Sequence, residues 1–568
     1  MKRYFFIFIL ACMMPQLFGK VGNQELHERI YAQTDKLLYL AGEQIQMKLI
    51  TVDTEQIPFV FSKVAYVELV SDSTSYLQIK VALNDGTGYG RMILPVDLPT
   101  GYYRLIAYTQ FMRNEGAEIF FEKSIGVINT FTSDYNPQLS TVETGRTPSL
   151  QLSTLNSQLS TLNSNVVSIK ADKTVYSTRE HGELQVSGLP NNIYTLSVSI
   201  AGKEMIAPNE VVSSPFSQNR SVNPTTDEYL PEYEGHIIIG RIIDNQPDNL
   251  EYKYDEVIPA ISFPGENIIF FTGQKNETGE VRFITSGSND IKEIATIVYN
   301  TGEKYRIDLQ SPFVTKFAPK QMPVLYIDST YYEPLLERSV GLQAIHYFAD
   351  DPPAKNKMLE HYLIMKPTNS YPLDEYTRFT TMREVFIEFI AKARFRRRDG
   401  VQELSVLVGS GSNYYYGSNP LVFLDGAPIS NHDIIYNYDP LDVEYINIYN
   451  IQRTIGESLF EGIVELKTYR GVMQGVVFDK STQIIPFEGP QTREEYLTPD
   501  YSSVDNRKSR IPDGRHTLLW NPDVQTEGQS TIRIPFDTSD LSGEFQATIE
   551  GITKDGERIV TTAVFKVE

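Results

Sequence analysis

Cysteine is almost missing from this chain of 568 residues, since Cys12 is its one cysteine. A disulfide within the chain is therefore excluded, and so is a cysteine-rich zinc site. The histidines are also few, and they stand apart at positions 27, 181, 236, 346, 361, 432 and 516. No two of them have the spacing of a zinc-binding motif. We therefore expect no metal site, and nothing in the sequence indicates a cofactor.

Sequence signatures of catalysis are missing as well. The chain has no Gly-x-Ser-x-Gly nucleophile elbow. The glycine-rich stretch GTGYG at 86–90 is not followed by a helical pattern, so it predicts a hairpin and not a phosphate-binding loop. His432 stands next to Asp433, and we interpret the two as a turn pair, not as catalytic partners. The sequence therefore predicts that the protein is not an enzyme.

Basic residues are fewer than acidic residues. The chain has 51 basic and 72 acidic residues, which gives a formal net charge of −21. Nucleic-acid phosphates attract basic surfaces, so this balance argues against a nucleic-acid partner. It also argues against simple electrostatic docking on anionic lipid. We interpret the charge as a source of solubility in a crowded compartment.

Long apolar runs are absent except at the N-terminus. A basic start, MKR, is followed by an apolar stretch at 4–14, and residues 1–19 are predicted to be a signal peptide. ILAC at 9–12 also resembles a lipobox, so a lipid anchor at Cys12 is an alternative to ordinary cleavage. No other run is long enough for a transmembrane helix. We expect an exported protein, in the periplasm or at the outer-membrane surface of a bacterium.

What the sequence does have is many short strand patterns separated by turn residues. TDKLLYLAGEQI at 34–45 and LPTGYY at 98–103 stand in a region of alternating strands with a hairpin signal at Asp85-Gly86. These words resemble the second macroglobulin domain of the alpha-2-macroglobulin family, over about 25–130. The later residues KTVY at 173–176 echo KLLY at 36–39, which indicates a divergent repeat of the same sandwich.

A different pattern occupies residues 420–471. A short apolar strand, LVFL, ends at Asp425-Gly426, which suits a tight turn with positive φ. A half-helix and two alternating strands follow. PLV at 420–422, LDG at 424–426, PI at 428–429, DVE at 442–444 and GIV at 462–464 together resemble the plug domain of TonB-dependent outer-membrane transporters. The 97 residues after Gly471 are too few for a transporter barrel, so the resemblance implies an interaction module.

The whole chain is predicted to be mainly β and multidomain, with immunoglobulin-like or macroglobulin β-sandwiches and one small α+β plug-like domain. The predicted segments are a signal peptide at 1–19, a macroglobulin-type sandwich at 20–130, a low-complexity linker at 131–165, one or two sandwiches at 166–318, a helical connector at 319–374, the plug-like domain at 375–471, an irregular linker at 472–511 and a C-terminal sandwich at 512–568. This order loosely resembles Bacteroidetes exported proteins that combine macroglobulin and plug-like domains.

Candidate binding residues lie in and just before the plug-like strand. Tyr414, Tyr415 and Tyr416 form a tyrosine run between glycine–serine pairs, and exposed tyrosines suit sugar or protein contacts. Asp425 and Gly426 are the other two candidates. The leading hypothesis is a non-enzymatic envelope protein whose plug-like module docks an outer-membrane partner. The alternative is an accessory of nutrient uptake that binds glycan or protein through the tyrosines.

Overall fold

The computed structural model describes residues 26–132, 167–203, 229–245, 257–265, 267–299, 303–325, 327, 331–348, 366–398, 400–410, 413–471, 473 and 475–568. The predicted signal peptide at 1–19, with Cys12, and nearly all of the predicted linker at 131–165 lie outside these residues. The described chain is mainly β and forms several packed sheets, which confirms the predicted fold class.

Contacts divide the chain into two compact units. Unit 1 contains residues 1–231, 315–353 and 491–568, and unit 2 contains residues 232–314 and 354–490. Each unit is therefore built from pieces that are distant in sequence.

The first sandwich of unit 1 is a continuous sheet in the order β1-β3-β6-β5-β4-β7-β8-β2. Its strands are β1 Arg29–Thr34, β2 Leu38–Leu40, β3 Gln44–Val52, β4 Val64–Ser71, β5 Thr74–Asn84, β6 Thr87–Ile93, β7 Gly101–Tyr108 and β8 Phe121–Ile128. The predicted hairpin at Asp85-Gly86 joins β5 to β6, and its φ values of 48° and 74° are those that favour Asp-Gly.

The second sandwich of unit 1 joins two distant parts of the chain. Its strands are β9 Ser168–Ala171, β10 Val175–Tyr176, β11 His181–Ser187, β12 Ile193–Gly202, β29 Thr517–Asn521, β30 Thr531–Asp537, β31 Gly543–Thr553 and β32 Arg558–Val567. One sheet has the order β10-β32-β31-β12-β29 and the other β30-β11-β9. Apolar side chains from both parts, including Val198, Trp520 and Phe565, are buried.

The two sandwiches begin in the same way, which confirms the predicted repeat. In the first, Tyr39 donates from its hydroxyl to Asp35 Oδ1 at 2.7 Å, and Asp35 Oδ1 also accepts from the Gln46 N–H at 3.1 Å. In the second, Tyr176 and Asp172 make the equivalent bond at 2.5 Å. In both cases a first strand pairs antiparallel with the third, and the short strand that contains the tyrosine pairs parallel with the last.

Unit 2 begins and ends with a third sandwich. Its strands are β13 His236–Asp244, β14 Ile258–Phe263, β15 Ile269–Thr272, β16 Gln274–Lys275, β17 Glu280–Thr285, β18 Glu293–Tyr299, β19 Tyr305–Leu309 and β28 Thr482–Pro486. The sheets have the orders β16-β17-β13-β19 and β15-β14-β18-β28. β28 comes from the segment 472–511 that the sequence predicts to be an irregular linker, so that prediction is wrong for 482–486, which pair with β18.

Between β19 and β28 lies an α+β module with a core of its own. Its elements are β20 Asn369–Pro372, β21 Ala393–Arg398, β22 Val401–Ser410, β23 Asn413–Tyr416, β24 Leu421–Leu424, β25 Ala427–Pro428, β26 Val443–Ile455 and β27 Ser458–Thr468. Strand, turn, strand, half-helix, strand and strand follow one another from β24 to β27, as the sequence predicts. The sheets have the orders β20-β26-β27-β24-β25 and β21-β22-β23.

In chain order, the α-helices of the described residues are α1 Tyr332–Phe348, α2 Met382–Glu388, α3 Asp433–Tyr436 and α4 Val504–Arg507. The two short helices α2 and α3 belong to this module and pack on its sheets. Phe386 and other apolar side chains of α2 enter a core shared with Val406 of β22 and Val464 of β27. Because α3 has only one turn, most of this core comes from strands.

The domains are nested and do not follow one another in a row, which corrects the predicted C-terminal sandwich at 512–568. β31 pairs with β12 from Phe545 to Thr553, so the last strands complete the sandwich that begins at Ser168. Both parts of unit 2 lie between β12 and β29 in the sequence, and residues 315–353 of unit 1 separate them. Inside unit 2, the α+β module is inserted between two strands of the third sandwich.

The helix α1 is held to the first sandwich by a buried ion pair. Arg338 Nε and Nη2 donate to the two carboxylate oxygens of Glu43 at 2.8 and 2.7 Å. Burial raises the pKa of Glu43, but the charges of Arg338 and Lys36 outweigh burial and hold it far below its usual value. The sequence predicts a helix at 334–348 with Leu335 and Val340 on its apolar face, and this face is only partly confirmed, because Leu335 is buried whereas Val340 is 57% exposed.

Candidate functional site

The predicted site residues fall on two different sheets of the α+β module. Tyr414, Tyr415 and Tyr416 belong to β23, an edge strand of the three-stranded sheet. Asp425 and Gly426 form the turn between β24 and β25 of the five-stranded sheet. The structure therefore does not join them in one sheet, and each group has a separate environment.

The side chain of Asp425 points into the protein, and both of its carboxylate oxygens accept hydrogen bonds. Its side chain accepts hydrogen bonds from the Thr468 N–H at 2.8 Å, the Thr468 hydroxyl at 2.7 Å and the Met473 N–H at 3.0 Å. The residue is 1% exposed. Because an ionised carboxylate only accepts hydrogen bonds, these three donors explain its position without a ligand. Asp425 fastens the end of β27 to the turn.

Gly426 is required by the close approach of another loop. Its φ is 81°, and a Cβ at this position would lie 2.9 Å from the backbone nitrogen of Gly265. The Ser262 hydroxyl donates to the Gly426 carbonyl at 2.5 Å, and the Gly265 N–H donates to the Asp425 carbonyl at 3.0 Å. The Asp425-Gly426 turn therefore packs the module against the third sandwich of the same unit.

The tyrosine strand is at the surface. Tyr414 is 51% exposed and Tyr415 is 46% exposed. The Tyr415 hydroxyl donates to Glu461 Oε1 at 2.8 Å, and this bond raises the pKa of Tyr415. Glu461 also accepts from the Ser418 N–H at 2.9 Å, the main cause of its lowered pKa. Tyr415 is thus tied to β27, whereas Tyr414 offers its ring to solvent.

Basic side chains in and just before β21, the opposite edge strand of this sheet, lie near the rings of Tyr414 and Tyr416. The Cζ atoms of Arg394 and Arg396 are 3.5 and 5.0 Å from the centroid of the Tyr416 ring. Lys392 Nζ is 5.8 Å from the centroid of Tyr414. We call these five side chains the cation–tyrosine face. Cations over aromatic rings are attracted by the ring quadrupole, so the face has a defined arrangement.

The structure of residues 382–398 differs from the prediction. The sequence predicts a helix at 382–393 with Arg394–Arg398 as its solvated end. In the structure α2 ends at Glu388, and the arginines belong to β21, which pairs with β22 from Ala393 onwards. Phe395 packs on Phe386 with ring centroids 4.8 Å apart, so the arginines on either side of it point the opposite way.

His432 and Asp433 have a role that sequence reasoning missed. His432 Nδ1 accepts a hydrogen bond from the Leu404 N–H at 3.0 Å, and Asp433 Oδ1 accepts one from the Gln402 N–H at 3.0 Å. Burial lowers the pKa of His432 to about 4. The two side chains therefore complete the part of β22 that β23 does not reach. Their adjacency was the one available signal, and it does not reveal a partner strand.

The described residues hold no group of three or more His, Cys, Asp or Glu side chains that could bind a metal ion. Within the same residues, no helix has both the length and the apolar character needed to cross a membrane. The surface of the α+β module combines aromatic rings, cations and the edges of a small sheet.

Comparison with known proteins gives distant likenesses. No protein-family model matches the chain, and a search of curated proteins finds no match. Among solved structures, it is similar to Salmonella alpha-2-macroglobulin reacted with methylamine, with 8% identity, a TM-score of 0.24, and coverage of 96% of this chain and 40% of that one. Escherichia coli alpha-2-macroglobulin activated by porcine elastase gives 10% identity, a TM-score of 0.23, and coverage of 95% and 44%.

A bacterial adhesin is also among the similar structures. The Escherichia coli adhesin FdeC gives 10% identity, a TM-score of 0.14, and coverage of 54% of this chain and 66% of that one. The chain thus spans less than half the length of the macroglobulins that it matches. These scores are too low for the likenesses to assign a fold or a function to this chain.

Proposed function

We propose that this chain is a non-enzymatic, exported interaction protein of the bacterial cell envelope, and that its α+β module docks an outer-membrane protein. The observation that carries the proposal is that the module has a buried cluster of its own, in addition to the cluster that it shares with the third sandwich. Residues of α2, β22 and β27 pack together as one buried cluster, and the module keeps its own two sheets. A compact module suits display when it is anchored in the fold, and here β28, which follows the module, pairs with β18 of the third sandwich.

The surface chemistry of the module supports contact with a partner. The exposed ring of Tyr414 and the cations beside it combine apolar area with charge, as protein interfaces often do. Export is supported by the signal-like pattern at 1–19. A lipid anchor at Cys12 remains part of the proposal as the alternative form of attachment, and the resemblance of 420–471 to transporter plugs favours an outer-membrane partner.

Site-specific photo-crosslinking in the native bacterium tests this function. A photoreactive amino acid replaces Tyr414, and a matched variant carries it at Tyr76, which is 46% exposed in unit 1. We expect a crosslink to an outer-membrane barrel protein from position 414 and none from position 76. Identical products from both positions, or products from neither, would rule out docking through the module.

The alternative function is an accessory role in TonB-linked nutrient uptake, in which the module binds glycan or another protein. The exposed ring of Tyr414 favours this candidate, because flat aromatic faces also stack on sugars. A glycan array separates the two functions. Retention of the full chain on defined glycans, with loss of retention in Tyr414→Ala, would favour the accessory role over protein docking.

A further inference from the structure

The strand β21 has an open edge. It lies at one end of the sheet β21-β22-β23, and among the described residues no strand pairs with its outer side. The N–H groups of Gln402 and Leu404 point away from β21, since they donate to Asp433 and His432.

The directions of the β22 backbone groups show which backbone groups of β21 face the open edge. In an antiparallel pair the hydrogen-bonding residues alternate, so Arg394 and Arg396 bond to their neighbours in β22. The backbone groups of Phe395 and Arg397 therefore point towards the open edge. An added strand would find donors and acceptors there at the normal spacing of a sheet.

The cations beside that edge have no carboxylate partner among the described residues. Lys392, Arg394 and Arg396 contact tyrosine rings and take part in none of the ion pairs of the described chain. A cation–π contact uses the flat face of a guanidinium, so its N–H donors stay available to an acceptor. Three such cations on one face are notable in a chain that has 72 acidic and 51 basic residues.

The spacing of the cations matches that of an extended peptide. They occupy every second position of the chain, and alternate side chains of a strand are about 6.7 Å apart. A peptide in the same conformation has the same repeat. We propose that β21 receives an extended acidic peptide of the partner as a fourth strand, with Asp or Glu at every second position facing Lys392, Arg394 and Arg396. This inference rests on the proposed docking function and names the chemistry of the partner.

Charge on an edge strand does not by itself indicate a bound peptide. Charged side chains can instead serve to prevent strand pairing, and then no peptide would bind. An acidic polysaccharide could lie across the cation–tyrosine face and use its charges without the backbone of β21. The added strand is favoured because β21 combines unpaired backbone groups with Arg394 and Arg396, and Lys392 stands at the next alternate position just before the strand, an arrangement that suits β-augmentation.

Fluorescence anisotropy with the full chain and labelled synthetic peptides tests the inference. One peptide is (Thr-Glu)₄, and its control is Thr₄Glu₄, which has the same composition without the alternation. We expect (Thr-Glu)₄ to bind at least about tenfold more tightly than the control, and raised salt to weaken its binding. A version of (Thr-Glu)₄ with methylated backbone nitrogens at alternate positions should lose binding, because it cannot pair with the edge.

The matched variants are Arg394→Gln with Arg396→Gln, and Arg397→Gln as the control on the same strand. We expect the double variant to lose about tenfold in affinity and the control to stay within about twofold. Their unfolding midpoints verify that both fold, and the comparison of peptides needs the wild-type chain alone. Equal affinity for the two peptides, binding of polygalacturonate but of neither peptide, or equal loss in both variants would overturn the inference.

The two proposals can fail separately. Crosslinking from position 414 without any preference for the alternating peptide would leave docking in place and remove the added strand. Preference for the alternating peptide without a crosslink to an outer-membrane protein would keep the strand acceptor and remove the proposed partner.

Discussion

The Tyr39 hydroxyl and the Asp35 carboxylate form a buried hydrogen bond of 2.7 Å at the point where the first sandwich passes from one strand to the next. Tyr39 is 0% exposed and Asp35 is 4% exposed. The same bond between Tyr176 and Asp172 opens the second sandwich, but Asp172 is closer to solvent. The two sites therefore offer a matched pair for measuring what burial adds to one interaction.

Tyr39→Phe should lower the free energy of unfolding of unit 1 more than Tyr176→Phe. Removing the buried hydroxyl leaves Asp35 short of one donor, at a cost of about 1–3 kcal/mol, whereas water can replace the hydroxyl at Asp172 and the cost is about 0.5–1 kcal/mol. The single tryptophan, Trp520, lies in β29 and reports urea unfolding of unit 1 by fluorescence. Equal losses in the two variants would contradict this role of burial.

Lys48→Met should stabilise unit 1. Lys48 is 0% exposed, and its Nζ has no hydrogen-bond partner. Burial lowers the pKa of Lys48 to about 7, although the charges of Asp523 and Glu550 act to raise it. A buried ammonium without partners is costly, so its replacement by an apolar side chain should gain about 1–3 kcal/mol at pH 7. Urea unfolding followed by Trp520 fluorescence measures the gain.

The same residue should give the wild type a distinct pH dependence. Because the pKa of Lys48 is lower in the folded than in the unfolded protein, the unfolded chain binds the extra proton between pH 7 and pH 10.5. The cost of Lys48 is therefore complete below pH 7 and is relieved as the pH rises. The difference in stability between Lys48→Met and the wild type should shrink from pH 7 to pH 9, and a constant difference would refute the assignment.

Acid should weaken the α+β module through His432. Its folded pKa of about 4 lies below the ordinary value of 6.5, so the unfolded state takes up the proton first as the pH falls. Stability is lost between pH 6.5 and pH 4, by about 3 kcal/mol for a pKa shift of this size. Hydrogen exchange of the Leu404 amide, which donates to His432, should accelerate over this range. In His432→Asn the same amide should exchange without that extra dependence.

Asp425→Ala should destabilise the module and leave its surface chemistry unchanged. The substitution leaves the N–H groups of Thr468 and Met473 without their acceptor, which costs about 2–4 kcal/mol in a buried position. Asp442→Ala is the control, because Asp442 is an exposed carboxylate in the same module. Hydrogen exchange of β27 measures the effect. Full stability with lost peptide binding would show that Asp425 is a contact residue instead.

Local features were the ones that the sequence could predict. The turns at Asp85-Gly86 and Asp425-Gly426 depend on adjacent residues that tolerate positive φ, and both occur. The echo of residues 36–39 at 173–176 predicted a repeat of the sandwich, and the Asp–Tyr bond that both copies share spans only four residues. The order of elements from β24 to β27 followed from alternation and turn residues in the same way.

Distant pairings could not be predicted. Ser197 in β12 pairs with Glu550 in β31, and no pattern in either strand identifies the other. Hence the nested order was missed, and residues 512–568 were expected to fold by themselves. The length of α2 was also overestimated, because Ala393 has a partner in Val406 that its own neighbours do not reveal. Exposed tyrosines were found by composition, but the cations beside them depend on that pairing.

The insertion of the α+β module between β19 and β28 has a mechanical consequence. The chain after the module returns to the third sandwich, where β28 is held along β18, and the chain before the module follows residues 315–353 of unit 1. The module is therefore covalently attached at both ends. A pulling force applied by a partner is shared between the two connections, and proteolysis of one connection leaves the module attached through the other. A domain attached at one end only would be released by a single cleavage.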